Sequence, residues 1–240
     1  MTYLFISDLH LSPDHPRLVR GFLDLLKHYQ DKNTQLYILG DWFNAWVGDD
    51  DPSEWLEQIV ASLQHFTDAG NQVFFLAGNR DFALGRDFLD HFSGQWLNDI
   101  DTININGLNI RLEHGDLLCT DDISYQRFRK IIRHPLVLCT LKCLPLRVRQ
   151  RIAQGFRTKS QQANLVKSYD VMGVNSKAVE LALQDVDILI HGHTHRANIH
   201  YEHGKQRIVL GDWKNDHAEI LEFDLVDYNS QSIQLKLWYY

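Results

Sequence analysis

Five short apolar segments of the chain each end in a cluster of polar residues, and this repeated junction limits the fold more than any other feature. The clusters are Asp8-Leu9-His10, Gly40-Asp41, Gly78-Asn79-Arg80-Asp81, Glu113-His114-Gly115-Asp116 and His191-Gly192-His193-Thr194-His195. Ligands in α/β sheets collect outside the carboxyl ends of the strands. We therefore expect the clusters to meet in space. Asn79 alone is also typical of a turn and His114 of a hydrogen-bonded core histidine, whereas the last cluster is stronger because its alternating imidazoles can point to one side. Chance does not readily produce the ordered set.

The first 80 residues alternate between strand and helix patterns. Apolar strands are predicted at Tyr3–Ser7, Gln35–Leu39 and Gln72–Leu76. Between them, apolar residues fall at helical spacing on one face: Leu18, Phe22, Leu25 and Leu26, then Leu56, Ile59, Val60, Leu63 and Phe66. We predict that the second helix begins at Asp51-Pro52, with the aspartate as N-cap and the proline in the first turn. The pattern is βαβαβ, typical of parallel strands covered by helices.

Later segments favour strands and hairpins. Asn106-Gly107 lies between two alternating segments and predicts a type I′ hairpin. Val186–Ile190 predicts a strand, and Ile199–Leu210 a hairpin around His203-Gly204. The segments Glu219–Leu225 and Ser232–Tyr239 alternate in strand fashion. The predicted fold is an α/β sandwich of two sheets flanked by helices, with a helical insert at about 121–170.

Charge is distributed unevenly. The 240 residues carry a formal net charge of −7, which argues against general nucleic-acid binding. Between Ile123 and Tyr169, however, there is no acidic residue and there are eleven basic ones, leaving 13 basic and 31 acidic residues elsewhere. A basic segment in an acidic protein indicates a local anionic partner.

The same insert is rich in apolar residues: Ile131, Ile132, Leu136, Val137, Leu138, Leu141, Leu144, Leu146, Val148, Ile152 and Phe156. Apolar and basic faces without acids are typical of a helix at an anionic lipid surface. The alternative is an insert packed on its own domain with a solvated basic rim. Breaks at Pro135 and Pro145 favour short helices, which suit a cap over a site better than a flat anchor.

The start of the chain and its cysteines suggest the compartment. The first residues enter a strand pattern without a basic segment or small-residue cleavage site, so we expect no secretory signal. No apolar run approaches the roughly 20 residues that span a bilayer. The three cysteines lack CxxC spacing, and we expect reduced thiols in a cytosolic protein.

The ligand types in the polar clusters indicate a metal site. Carboxylate, amide and imidazole groups without thiolate suit Mn²⁺, Fe²⁺, Mg²⁺ or Zn²⁺, and the mixture of nitrogen and oxygen donors favours Mn²⁺. A carboxylate that bridges two ions holds them roughly 3.5–4 Å apart, the spacing of two-metal phosphoryl-transfer sites. We interpret Asp49-Asp50-Asp51 as a helix-capping loop outside the site, and Gly211-Asp212-Trp213 as structural.

The ordered motifs D-x-H, G-D, G-N-x-D, a later H and G-H-x-H, over about residues 4–215, resemble the calcineurin-like metallophosphoesterase superfamily. The resemblance implies a four-layer αββα sandwich of two mixed β-sheets with a helical cap insert and a dinuclear metal centre. It implies that Asp8, His10 and His195 hold one ion and that Asn79, His114 and His193 hold the other. Asp41 would bridge the two ions.

Arg80 departs from many members of that superfamily, in which histidine follows the asparagine and is thought to assist departure of an alkoxide. Arginine stays protonated and is a poor general acid, but it stabilises charge on a phosphoryl group. A leaving group that is itself a phosphate departs without a proton. Arg80 therefore favours cleavage of a phosphoanhydride over a phosphomonoester.

Longer stretches show a closer similarity. FISDLHLS, YILGDWFNAWVGDDD, GNRDFALG, EHGDLLCTDD and IHGHTHR are similar to the bacterial UDP-2,3-diacylglucosamine pyrophosphatase family of lipid A biosynthesis. This implies water attack at the α-phosphorus of UDP-2,3-diacylglucosamine, giving UMP and 2,3-diacylglucosamine 1-phosphate, with two Mn²⁺ per chain and Mg²⁺ or Fe²⁺ as alternatives. It also implies peripheral association with the cytoplasmic face of the bacterial inner membrane. The expected partners are the UDP-linked lipid and an anionic membrane surface, without nucleic acid or an evident protein partner.

The resemblance also assigns residues and segments. Catalysis would involve Arg80, Asp41, Asn79 and His114. Substrate contacts would come from Asn79, Arg80, Asp122, Ser160, Asn164, Lys167 and His193, and Arg157 joins them because Arg157, Ser160, Asn164 and Lys167 share one helix face. Such a face is also typical of a solvated polar stripe. Residues 1–120 and 171–240 would form the core, and 121–170 a basic, apolar, lipid-binding cap.

Two other functions compete with this interpretation. One is a phosphodiesterase or nucleotide hydrolase with a soluble substrate, which the apolar basic insert opposes. The other is a metal-stabilised membrane-interaction module without turnover, which the complete ligand set and Arg80 oppose.

Overall fold

Two β-sheets face each other in the computed structural model, and helices cover their outer surfaces. The structure describes residues 1–166, 173–202, 204–227 and 230–240. The side chains of 159–166, 225–227, 230 and 231 are outside this description. The predicted site residue Lys167 and the hairpin residue His203 therefore lie outside the described residues.

The strands alternate with helices at the start of the chain and follow one another at its end. The strands are β1 (Thr2–Ile6), β2 (Thr34–Leu39), β3 (Gln72–Leu76), β4 (Gln95–Trp96), β5 (Ile100–Ile105), β6 (Leu108–Glu113), β7 (Ile188–His191), β8 (Asn198–Glu202), β9 (Lys205–Val209), β10 (His217–Asp227) and β11 (Ser230–Tyr239). The helices are α1 (Pro16–Tyr29), α2 (Glu54–Asp68), α3 (Arg86–Asp90), α4 (Ile123–Ile132), α5 (Pro135–Lys142), α6 (Leu146–Val166) and α7 (Ser176–Leu183).

Both sheets are mixed. The first has the order β11-β10-β1-β2-β3-β4, in which β1 to β4 are parallel and the two C-terminal strands are antiparallel. The second has the order β5-β6-β7-β9-β8, with parallel pairs on both sides of β7. The parallel strands of each sheet place their carboxyl ends at one edge, where the polar clusters follow.

Side-chain alternation along the strands builds the layers. On β1, Leu4 and Ile6 pack into the cluster that contains residues of α1 and α2, whereas Phe5 packs into the cluster between the sheets. On β7, Ile190 faces the first sheet and Leu189 packs under α7. The order helices, sheet, sheet, helix confirms the predicted four-layer αββα sandwich.

The type I′ hairpin is confirmed, and the predicted start of α2 is wrong. Asn106 and Gly107 form a two-residue loop with φ angles of 51° and 87°. The helix begins at Glu54 with Ser53 as its N-cap. The carboxylate of Asp51 accepts a hydrogen bond of 3.1 Å from the backbone N–H of Ser53. This local turn holds residues 51–53 outside the helix.

The insert folds into α4, α5 and α6, and α4 is fixed to the core by ion pairs. Arg129 Nε donates to the buried carboxylate of Asp116 at 2.7 Å, and Arg133 contacts Asp99 at the same distance. On α6, Arg149 is 5% exposed and donates to Asp50 and to the carbonyl of Val47. These three arginines therefore face acids and carbonyls of the core, as in an insert packed on its own domain, and the expected anionic partner of the basic segment stays a prediction. The division into core and lipid-binding cap stays a prediction.

Among the described helices, none combines the length and the apolar character that a membrane crossing requires.

Candidate metal centre

The loops that follow β1 and β2 run side by side. The N–H of Asp8 donates to the carbonyl of Gly40 at 3.1 Å, and the N–H of His10 donates to the carbonyl of Asp41 at 2.9 Å. The next bond joins Leu11 to Trp42 at 2.9 Å. These backbone bonds carry the side chains of Asp8, His10 and Asp41 to the same end of the sheet.

Asp81 fixes the third loop, after β3, to the second. Its carboxylate accepts hydrogen bonds from the N–H groups of Gly78 and Trp42, each at 2.7 Å. In return, the Asp41 carboxylate accepts from the N–H of Arg80 at 2.9 Å. The contact is so close that a Cβ at Gly78 would lie 2.2 Å from the nitrogen of Asp41. Glycine is required there because any side chain would separate the loops.

Five of the predicted ligands have left-handed backbone conformations. They are Asp8 (φ 55°), His10 (51°), Asp41 (51°), His193 (66°) and His195 (56°). Non-glycine residues rarely adopt this region, and strained residues cluster at functional sites, where the surrounding structure holds them.

Asp8, His10 and His195 form the first group. Asp8 is fully buried, and its Oδ2 accepts from Ser7 Oγ at 2.7 Å and from the N–H of His193 at 2.8 Å. Its Oδ1 lies 3.2 Å from His195 Nε2, which is 3.5 Å from His10 Nε2. Asp8 Oδ1 and His10 Nδ1 are buried without a hydrogen-bond partner among the described residues.

Asn79, His114 and His193 form the second group. The amide oxygen of Asn79 lies 3.0 Å from His114 Nε2 and 2.9 Å from His193 Nδ1, and the two imidazole nitrogens are 3.2 Å apart. His114 Nδ1 lies 2.9 Å from the carbonyl of Leu39, which orients the ring and leaves Nε2 toward the group. Each of the three atoms can therefore offer an electron pair to one point.

Asp41 lies between the two groups. Its Oδ2 is 3.9 Å from His10 Nδ1, and its Oδ1 is 3.7 Å from His114 Nε2. The resemblance assigns the bridging role to this residue, and the position suits that role.

Burial makes two of the imidazoles neutral, whereas nearby acids favour a proton on His195 that a bound cation would replace. Burial lowers the pKa of His10 to about 3 and that of His193 to about 4, so both imidazoles are neutral, the form that binds metal. Burial, reinforced by the charge of Asp8, raises the pKa of Asp41, although His114 and Arg80 oppose the shift. Burial also disfavours a charged His195, but its contacts with Asp212 and Asp8 raise its pKa to about 10. The pocket therefore attracts positive charge.

These residues fit a dinuclear site for divalent cations. Ligand atoms of Asp8, His10 and His195 lie within 4.8 Å of one another, as do those of Asp8, Asp41 and His114. The buried atoms of Asp8 and His10 without hydrogen-bond partners are the kind that coordination satisfies. The donors are oxygen and nitrogen, typical of Mn²⁺, Fe²⁺, Mg²⁺ or Zn²⁺.

The family model described as calcineurin-like phosphoesterase matches residues 1–197. The chain belongs to this family. It is 41% identical over 222 residues to the UDP-2,3-diacylglucosamine hydrolase of Haemophilus influenzae strain PittGG, covering 92% of this chain and 94% of the relative. It is 44% identical over 223 residues to the protein of the same name from Neisseria meningitidis serogroup A, covering 92% and 93%.

One solved structure supports the fold independently. An archaeal phosphodiesterase superposes with a TM-score of 0.51, covering 98% of this chain and 100% of the other at 14% identity. At this identity the likeness concerns the fold alone.

Arg80 lies at the mouth of this phosphoesterase site. Its guanidinium donates to Asn44 Oδ1 at 2.9 Å, and its Nε is 3.4 Å from Asp41 Oδ2. Asn44 is 8% exposed and was not singled out in the sequence, because an asparagine in a loop carries no local signal. Its effect is to orient the guanidinium.

Asp212 supports the site in a way that the sequence interpretation missed. Its Oδ2 lies 3.4 Å from His195 Nδ1 and 2.6 Å from Lys214 Nζ, so the interpretation of this segment as structural was incomplete. A carboxylate behind a ligating histidine orients the ring. The available signal was that an apolar strand, then Gly211 and Asp212, repeats the Gly40-Asp41 pattern.

The predicted substrate contacts are only partly described. Arg157 lines the same cavity as Arg80. Asp122 caps α4, since its Oδ1 accepts from the N–H of Tyr125 at 3.1 Å. The side chains of Ser160 and Asn164, like the whole of Lys167, lie outside the described residues. The ligand and substrate roles stay predictions.

The acids at 49–51 lie outside the site, as expected, and each contacts a different part of the chain. Asp49 accepts from the N–H groups of Gly85 and Phe88 at the start of α3, at 2.9 and 3.3 Å. Asp50 pairs with Arg149, and Asp51 forms the turn before α2.

Asp41→Asn is expected to separate metal binding from stability. Because the folded state raises the pKa of Asp41, an ionised carboxylate costs stability at neutral pH, and this cost disappears below the carboxyl's titration range. The neutral amide removes that cost and keeps an oxygen for the N–H of Arg80. Thermal melting in chelator should give the variant a Tm equal to or above that of the wild type, whereas Mn²⁺ should raise its Tm far less.

Asp24→Asn on the exposed face of α1 is the matched control and should show the wild-type response to Mn²⁺. An unchanged Mn²⁺-induced rise for Asp41→Asn would contradict the bridging assignment.

Proposed function

We propose that this protein hydrolyses the diphosphate of UDP-2,3-diacylglucosamine by water attack at the α-phosphorus, giving UMP and 2,3-diacylglucosamine 1-phosphate. The observation that carries the proposal is the position of Arg80, a cation between Asp41 and Asn44 beside the full set of predicted metal ligands. The named relatives at 41–44% identity support the substrate, a precursor of lipid A.

The chemistry divides between the cations and the chain. When bound, a pair of divalent cations would supply Lewis acidity that activates water and offsets phosphoryl charge. The chain orients these ligands through Asp212, Leu39 and the hydrogen bonds between the loops. Arg80 stabilises charge on the transferring phosphoryl group, and the departing sugar phosphate needs no proton. Mn²⁺ is the proposed metal because the donor set is mixed.

We also propose that the protein acts as a peripheral protein at the cytoplasmic face of the inner membrane. The insert exposes several large apolar side chains, and exposed basic side chains lie on the same helices. The apolar ones are Ile131, Leu136, Val148 and Phe156. Leu136 is 73% exposed and Ile131 63% exposed. Such a surface suits anionic lipid.

The activity is tested by incubating the purified protein with UDP-2,3-diacylglucosamine and Mn²⁺ in detergent in ¹⁸O-labelled water. We expect the label in UMP and no turnover with chelator. Label in the sugar phosphate would contradict attack at the α-phosphorus. Failure to hydrolyse this lipid, with turnover of a simple soluble diester, would favour the soluble-substrate phosphodiesterase.

Arg80→Ala is expected to lower kcat by about 10²- to 10³-fold, the usual loss when one transition-state donor is removed. Added guanidinium should restore part of the rate, and Arg80→Lys should fall between the two because it keeps the charge without the planar fork. Steady-state kinetics at matched Mn²⁺ content measures this. An Arg80→Ala rate within tenfold of the wild type would refute the role.

Leu136→Gln is expected to weaken association with anionic vesicles by about tenfold or more, since a buried leucine contributes roughly 2 kcal/mol. Vesicle sedimentation measures the binding. Leu181→Gln on α7 is the control, because Leu181 is 69% exposed but lies outside the insert. Equal binding by both variants would contradict a membrane-facing surface at Leu136.

A further inference from the structure

A cavity of about 560 Å³ lies beside the metal centre. His10 and Arg80 belong to its wall, so the cavity opens directly onto the first group of ligands. Its volume is within the range of small-ligand sites, roughly 300–1,000 Å³.

Part of the cavity wall suits a phosphate. Arg80 and Arg157 both line it, together with the amide of Asn44. Burial and the nearby charge of Arg80 lower the pKa of Arg157, although the charge of Asp14 opposes the shift, and the effect of Arg80 places the two guanidinium groups near each other. Arginine forks match phosphate oxygens, so two guanidinium groups in one wall suit a phosphate.

Other residues of the lining form an apolar floor with polar groups at its rim. Leu18 and Trp213 are 6% and 5% exposed and form the floor. The rim is formed by exposed polar side chains: His15, Lys214, Asn215 and Asp216. A flat apolar surface with amide and carboxylate groups at its edge suits a nucleoside, whose base has flat faces and whose ribose carries a diol.

The loop that carries this rim is held in place. The N–H of Trp213 donates to the carbonyl of Asp8 at 3.3 Å, and the N–H of Lys214 donates to the carbonyl of His217 at 2.8 Å. The N–H of Tyr240 donates to the carbonyl of Asp216 at 3.2 Å. A ligand would therefore meet a preformed rim fixed to Asp8, a predicted metal ligand, which lowers the ordering cost of binding.

The two groups of ligands face different surroundings. The Asn79–His114–His193 group lies against the insert, where the ring of Tyr125 on α4 is stacked 6.2 Å from that of His193. The group of Asp8, His10 and His195 lies against the cavity and Asp212. A substrate lying across both groups would reach from α4 at one group to the cavity at the other, where Arg157 of α6 is part of the wall.

We propose that this cavity is the binding site for the nucleoside monophosphate end of the substrate, with phosphate at Arg80 and Arg157 and the nucleoside against Leu18, Trp213, Asn215 and Asp216. The assignment rests on the proposed function for the identity of the nucleotide. It gives the loop at 213–216 a role in substrate selection.

The test uses the Mn²⁺-loaded full chain and three probes: UMP, uridine and inorganic phosphate. Isothermal titration compares the wild type with Arg157→Ala, with the double variant Asn215→Ala plus Asp216→Ala, and with the exposed control Asp185→Ala. The double variant should weaken UMP and uridine about tenfold or more and leave phosphate affinity unchanged. Arg157→Ala should weaken UMP and phosphate but not uridine. The double variant should also raise KM for the UDP-linked lipid more than it lowers kcat.

The outcomes separate this inference from the proposed function. If the double variant binds UMP as the wild type does and its KM is unchanged while the lipid is hydrolysed, the proposed function stands and the cavity assignment is wrong. Equal losses of uridine and phosphate affinity in the double variant or in Arg157→Ala would also refute the assignment. If the binding pattern holds but UDP-2,3-diacylglucosamine is not hydrolysed, the nucleotide site stands and the lipid substrate is wrong.

Discussion

Two buried carboxylates, Asp8 and Asp41, lie at the edge where the parallel strands of both sheets end. Much of the structure compensates for the cost of burying them. Burying an ionised carboxylate costs several kcal/mol unless charges and hydrogen bonds offset it. Here Asp8 accepts from Ser7 and from the N–H of His193, and Asp41 accepts from the N–H of Arg80. Because these contacts do not fully offset the negative charge of the two carboxylates, the pocket suits divalent cations.

The loops that hold these ligands are strained, and the sandwich stabilises them. A non-glycine residue in the left-handed region costs on the order of 1–3 kcal/mol, and five predicted ligands adopt it. The hydrogen bonds of Asp81 and the backbone bonds between the loops of β1 and β2 oppose this cost. Cores on both faces of the first sheet fix the strands from which the loops emerge.

The insert is joined to the site through α4. Arg133 donates to the carbonyl of Gly78, directly before Asn79, at 2.6 Å. The hydroxyl of Tyr125 and the guanidinium of Arg129 share the carboxylate of Asp116. The helix that begins the predicted lipid-binding surface is therefore bonded to the loop of a predicted metal ligand.

The sequence by itself determined a layered α/β fold and the convergence of the polar clusters, because strand alternation, helical spacing and the polar residues after each strand are local patterns. The division of the predicted ligands into two groups came from the resemblance to a known family. Tertiary structure alone decided the roles of Asp212, Asn44 and Arg133. Asp212 contacts His195 because the intervening strands β8 and β9 fold back on each other. Arg133 contacts Gly78 although 55 residues separate them in the chain. Such pairings depend on how sheets and helices stack, and they leave no periodic signal along the chain. The start of α2 was misjudged for the opposite reason, since a single side chain, Asp51, overrode a general preference.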